Sequence, residues 1–250
     1  MIHNEKTIQG YKINATDDEL GKVDSLLFDD ENWTVRYLVA DTRKWLPGRT
    51  VLLSPISIKA VNHEEEQVSV HLTKDQVKDS PDIDTESPVS RKQEMRLNQF
   101  YGWGSYWGGP GVWGPAMYPS ELFEEDFVQE PQGIGENSEE SHIRSTSEVQ
   151  NYEIHAEDGG IGHVESFLVD DETWKIRYII VDTKNWKSGK KVLVAPAWIT
   201  EVRWAEKRVY VSLDQKKVEN APEYDPDAPI SRAYEEKLYG AYGKNPYWKE

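Results

Sequence analysis

The chain has 250 residues, a formal net charge of −16 and no cysteine. That length suits two domains of about 100 residues each. A surface this acidic repels phosphate backbones and anionic lipid, which disfavours nucleic-acid and membrane-surface binding. Lack of cysteine removes disulfides, thiolate nucleophiles and Cys-ligated zinc together. The opening MIHNEKTIQGYKIN contains no apolar run of the signal-peptide kind. No stretch approaches the roughly 18 apolar residues of a membrane span. A cytoplasmic protein is expected.

The predicted elements occur twice. Trp33 and Trp174 lie 141 positions apart, and the same offset pairs Tyr11 with Tyr152, Gly21 with Gly162 and Asp41 with Asp182. It continues, without a gap, through Pro55 with Pro196 and Ser90–Arg91 with Ser231–Arg232 to Tyr106–Trp107 with Tyr247–Trp248. Roughly two in five positions are identical, so the chain reads as a tandem duplication.

In chain order, the first copy begins with GKVDSLLFDDENW, a strand running into a turn at Asp29–Asn32. WTVRYLVADT is the returning strand. Val35, Tyr37 and Val39 share one face, while Leu38 and Ala40 share the other with Arg36. A strand apolar on both sides belongs inside a small barrel or sandwich. KWLPGR turns at Gly48, and TVLLSP is a short strand stopped by Pro55. SIKAVNHEEEQVSVHL forms a further hairpin, with Val68, Val70 and Leu72 alternating. Thr73 with Gln76, and Ser90 with Gln93, have capping-box spacing and start two short helices; Asp214 and Ser231 start those of the second copy. Leu97 and Leu238 give the second helices an apolar side to dock.

The predicted fold class is therefore mainly β: two small barrels, each with short C-terminal helices. The expected domains are 1–107 and 149–250, with 108–148 as a linker rich in Gly, Trp and Pro, then in Ser and Glu. YGWGSYWGGPGVWGP spaces Trp103, Trp107 and Trp113 among glycines. These tryptophans either fold back over their own barrel or stay exposed as partner-binding anchors, since large aromatics dominate interfaces. Tyr247–Trp248 at the equivalent place in the second copy leans towards the fold-back arrangement.

Other polar groups have structural readings. The turns Asp29-Asp30-Glu31 and Asp170-Asp171-Glu172 lack the alternation of a calcium loop and read as solvated hairpin turns. Arg36 with Asp41, and Arg177 with Asp182, read as structural ion pairs, because a buried arginine needs an acceptor. Of six histidines, only His155 and His163 fall in one ordered segment, and no converging partners are visible for a metal or general base. No G-x-S-x-G elbow or phosphate-cradling glycine loop is present. No catalytic residue, metal or cofactor is expected.

VRYLVADTRKWLPGRTVLLSP and IRYIIVDTKNWKSGKKVLVAP, with the tails SPVSRKQEMRLNQFYGW and APISRAYEEKLYGAYG, resemble the PRC-barrel family, named for the cytoplasmic domain of the photosynthetic reaction-centre H subunit. The resemblance spans nearly all of both copies. It implies a compact β-barrel used for protein binding or assembly, with no shared catalytic residues. It is compatible with a regulatory or stress-response setting. The leading expectation is a non-enzymatic interaction module with a protein partner, either homo-oligomeric or with its barrels paired across an internal pseudo-twofold axis. The alternatives are a small ligand or ion held in a groove between barrels, or a soluble relative of the H subunit that affects electron transfer.

Overall fold

The computed structural model describes residues 1–83, 88–107, 109–123, 141–184 and 189–249. These fall into two units. The first comprises Met1, His3–Glu148 and Asp170–Lys175; the second comprises Ile2, Val149–Val169 and Ile176–Glu250.

The first half of the chain runs β1 (Ile2–Asn4), α1 (Glu5–Ile8), β2 (Lys12–Asn14), β3 (Glu19–Asp29), β4 (Thr34–Asp41), β5 (Thr50–Leu53), β6 (Ile58–Asn62), β7 (Gln67–Val70), α2 (Lys74–Asp79) and α3 (Arg91–Tyr101). Then come β8 (Ile143–Ser145) and α4 (Thr146–Val149). The first unit holds a seven-stranded sheet in the order β5-β4-β3-β2-β7-β6, with β8 added on β3. Only β2 and β7 pair in parallel. Every residue of β4 from Thr34 to Ala40 is buried, which its two apolar faces predict.

Local chemistry sets the turns. The Asp29 side chain accepts from the Asn32 N–H at 2.6 Å, closing the β3–β4 hairpin. Gly21 has φ of +140°, and a Cβ there would stand 2.0 Å from the Asp41 carbonyl oxygen. Its repeat partner Gly162, at the same φ, would meet Asp182 at 2.2 Å. Both sheets therefore require glycine at this position. Thr73 and Ser90 form full capping boxes with Gln76 and Gln93, and α3 ends on Gly102 in the left-handed region.

The second half contains β9 (Glu153–Ala156), β10 (Gly159–Asp170), β11 (Ile176–Asp182), β12 (Lys191–Val194), β13 (Ile199–Arg203), β14 (Arg208–Val211), α5 (Gln215–Asn220) and α6 (Arg232–Tyr242). Its sheet runs β12-β11-β10-β9-β14-β13, with β1, whose Ile2 belongs to this unit, as seventh strand. Again one pair, β9 with β14, is parallel. The elements β5, β6, β7, α2 and α3 recur at the 141-residue offset as β12, β13, β14, α5 and α6, with Asp214 and Ser231 as caps.

The linker boundaries differ from expectation. Residues 109–123 belong to the first unit: Gly111 bridges Gly114, Trp113 bridges Ala116, and Pro119–Phe123 makes a 3-10 turn. Glycine in this segment permits close packing, since a Cβ on Gly111 would stand 2.2 Å from the Ala116 carbonyl oxygen. Residues 141–148 are also part of the first unit, through the pairing of Leu27, Phe28 and Asp29 with Ser145, Arg144 and Ile143. The remainder of the expected linker, 108 and 124–140, lies outside the described residues. The first unit also takes the turn Asp170–Lys175, where Trp174 gives its carbonyl to the Val35 N–H at 2.8 Å. Among the described residues no helix is long and apolar enough to cross a membrane.

Candidate functional site

Charged groups enter the first unit at Arg36, in the middle of β4 and 1% exposed. Its Nε donates to Asp29 Oδ2 at 2.6 Å. The guanidinium lies 3.9 Å from the Tyr106 ring centroid and 4.5 Å from that of Trp113. One charged acceptor and two aromatic faces replace its hydration. The expected partner, Asp41, instead takes the Arg43 side chain at 2.8 Å near the surface, and this hydrogen bond holds its carboxyl down at about 2. Strand alternation explains the difference: an odd separation places Arg36 and Asp41 on opposite faces of β4. In β11 the same odd separation applies to Arg177 and Asp182. Arg177 lies 4.5 Å over the Tyr247 ring, and Asp182 meets Lys184 at 3.5 Å.

A second buried group connects β4 to α3. Tyr37 and Tyr106 donate to Glu94 Oε1 at 3.0 and 2.7 Å, and Arg91 donates to Oε2 at 2.9 Å. Burial pushes the Glu94 carboxyl up to about 7, against the opposing pull of Arg91 and the two phenols. The phenols of Tyr37 and Tyr106 are themselves pushed well up by burial. The second unit repeats the set, with Tyr178 and Tyr247 donating to Glu235 at 2.7 and 3.2 Å and Arg232 at 3.0 Å. Each helix is thereby tied to its sheet by a carboxylate that accepts from two tyrosines.

Tyr106 sits in the aromatic segment, and its neighbours fold back with it. Trp103 is buried and stacks on Tyr101 at 4.3 Å. Trp113 is fully buried and donates from Nε1 to the Thr173 carbonyl at 2.8 Å. Trp107 is half-buried, with the Arg91 guanidinium 4.4 Å over its ring. Trp103 and Trp113 thus contribute to the interior of the first unit.

Of the two histidines expected in one ordered segment, His155 pairs with Glu153 at 3.2 Å and His163 is half-buried on β10, both in the second unit. A cluster that spacing did not reveal lies in the first unit. His3, His63 and Asp171 each present a ligating atom, all within 4.8 Å of one another. Their positions are far apart in sequence, so no local motif could have announced them. Beside them is a groove of about 360 Å³ lined by Ile58, Val61, Pro119 and Trp174, with Asp171 and Glu172 supplying charge. Met117 and Tyr118, which precede Pro119, are 53% and 45% exposed, and Phe123 is 38% exposed.

Residues 143–218 match the PRC-barrel domain family. The match begins at β8 and ends within α5. No curated protein matches the chain.

Proposed function

We propose that this chain is a tandem pair of PRC-barrel-type modules serving as a non-enzymatic protein-interaction or assembly unit. The supporting observation is that the strand order and caps of the second half, within which residues 143–218 match the family, recur in the first half at a constant offset, as does the Tyr–Tyr–Glu–Arg set, of which Tyr178 lies in the matched stretch. The buried ionisable groups support it too. Glu94, Arg91 and Arg36 are engaged in holding helix and aromatic segment to the sheet, the role of scaffold residues.

Docking is assigned to the groove beside Trp174 and to the exposed side chains of Met117, Tyr118 and Phe123 in the first unit. Apolar side chains at this exposure, next to a groove of mixed polar and apolar lining, suit a partner's aliphatic or aromatic anchor flanked by a positive charge. The test compares wild type with the double variant Tyr118→Asp/Phe123→Asp, by cross-linking capture from native lysate and by sedimentation velocity. The expected result is a partner or self-associated species held at micromolar concentration by wild type and lost in the variant, with an unchanged unfolding transition. Equal behaviour of the two proteins, or association in neither, would refute this assignment.

A further inference from the structure

We propose that His3, His63 and Asp171 form a binding site for a late first-row divalent metal ion, with Zn2+ as its reference occupant. The site lies within the first unit and shares Asp171 with the docking groove, but its test reads metal uptake and not partner capture. His3 comes from β1, His63 from the turn after β6, and Asp171 from the 170–175 turn. Both imidazoles direct Nε2 at the same carboxylate oxygen, Asp171 Oδ2, at 3.2 Å from His3 and 3.3 Å from His63. Around a tetrahedral Zn2+ with bonds of about 2.0–2.1 Å, neighbouring donor atoms stand about 3.3 Å apart. Both imidazole–carboxylate separations already have that spacing. Two imidazoles and one carboxylate are also the donor set that Zn2+, Ni2+ and Co2+ share.

Comparison across the repeat sharpens the assignment. At the 141-residue offset, His3 corresponds to Arg144, Asp171 to Asp30 and His63 to Trp204. Arg144 and Asp30 make an ordinary ion pair at 3.1 Å. A permanently charged guanidinium needs no further cation to neutralise its carboxylate. His3 and His63 instead stack face to face, with centroids 3.6 Å apart and planes 14° apart. Two imidazolium ions in that arrangement repel each other, whereas two neutral imidazoles can share one cation with the carboxylate. The Nε2 of His3 is buried and has no hydrogen-bond partner of good geometry. Asp171 Oδ1 receives the Met1 amino group.

A supporting residue is already in place. The Tyr11 hydroxyl lies 3.2 Å from His63 Nδ1. With a metal on Nε2, Nδ1 carries the proton and donates to that hydroxyl, which fixes tautomer and ring orientation. Metal entry requires the two rings to splay from their 14° alignment, since two lone pairs aimed at one ion cannot stay parallel. His3 and His63 side chains are each 21% exposed, leaving solvent to complete the coordination sphere.

The experiment is a calorimetric Zn2+ titration of the full chain at pH 7.5 in a non-chelating buffer, repeated with Co2+ while recording its visible d–d bands. One Zn2+ per chain is expected, with a dissociation constant of about 10 μM or below. His63→Ala and Asp171→Asn should each weaken binding at least about 100-fold, and Tyr11→Phe, which removes only the acceptor that orients the His63 ring, about 10-fold. His155→Ala should leave binding unchanged. The metal-free unfolding transitions of Asp171→Asn and wild type serve as the fold control. Zn2+ uptake that survives both His63→Ala and Asp171→Asn, or no uptake up to about 1 mM, overturns the proposal.

Discussion

Replacing Glu94 by glutamine tests the buried carboxylate on which α3 is hung. Glu94 is 1% exposed and titrates at about 7 instead of its ordinary 4.5, because desolvation outweighs the pull of Arg91, Tyr106 and Tyr37. The native state therefore binds a proton between pH 4.5 and 7 that the unfolded chain has released. By linkage, stability from this group is fully present below pH 4.5, falls as pH rises and is lost above 7. At about 1.4 kcal/mol per decade of pH, that interval corresponds to about 3 kcal/mol. Glutamine keeps an oxygen for the two phenols, at 3.0 and 2.7 Å, but does not titrate. Urea unfolding of wild type and Glu94→Gln from pH 4.5 to 8, followed by tryptophan fluorescence, isolates the effect, since all other titrating groups cancel in the difference. Wild-type stability relative to the variant should decline by about 3 kcal/mol between pH 4.5 and 7, half of it by about pH 6, and level off above neutrality. A difference constant to within about 0.5 kcal/mol over that range would sink the reasoning.

Two further substitutions test the rest of the interior. Arg36→Met leaves the Asp29 carboxylate buried without its cation and should cost about 3–5 kcal/mol in chemical denaturation. Asp29→Leu/Arg36→Met should recover part of this loss; a single variant within about 1 kcal/mol of wild type would contradict the buried-pair assignment. Trp113→Ala removes a fully buried indole and should destabilise the first unit by about 3–5 kcal/mol by thermal or urea melting. A tryptophan that served only as an external anchor would leave that transition unmoved.

The sequence by itself determined most of the local structure. Alternation over VRYLVADT predicted a strand buried on both faces, and Thr34–Ala40 are buried throughout. The capping boxes at Thr73 and Ser90 form as their spacing requires, because a cap needs only residues three positions apart. The constant offset between Tyr11 and Tyr152, or Trp33 and Trp174, announced two related sheets, and both sheets follow one strand order.

What the tertiary structure decided are the pairings between distant positions. Arg36 chooses Asp29 over Asp41 because side-chain alternation sets Asp41 on the other face. The glycine-rich stretch around Trp113 has the composition of a linker yet packs inside the first unit, since the same glycines that loosen a free chain permit close backbone approach. Unit membership likewise departs from chain order: 143–148, expected in the linker, and 170–175, expected in the second domain, both lie in the first unit. His3, His63 and Asp171 meet only because a strand, a hairpin turn and that 170–175 turn converge there. Periodicity and caps are short-range and can be read along the chain; a donor set gathered from three distant segments exists only once the chain has folded.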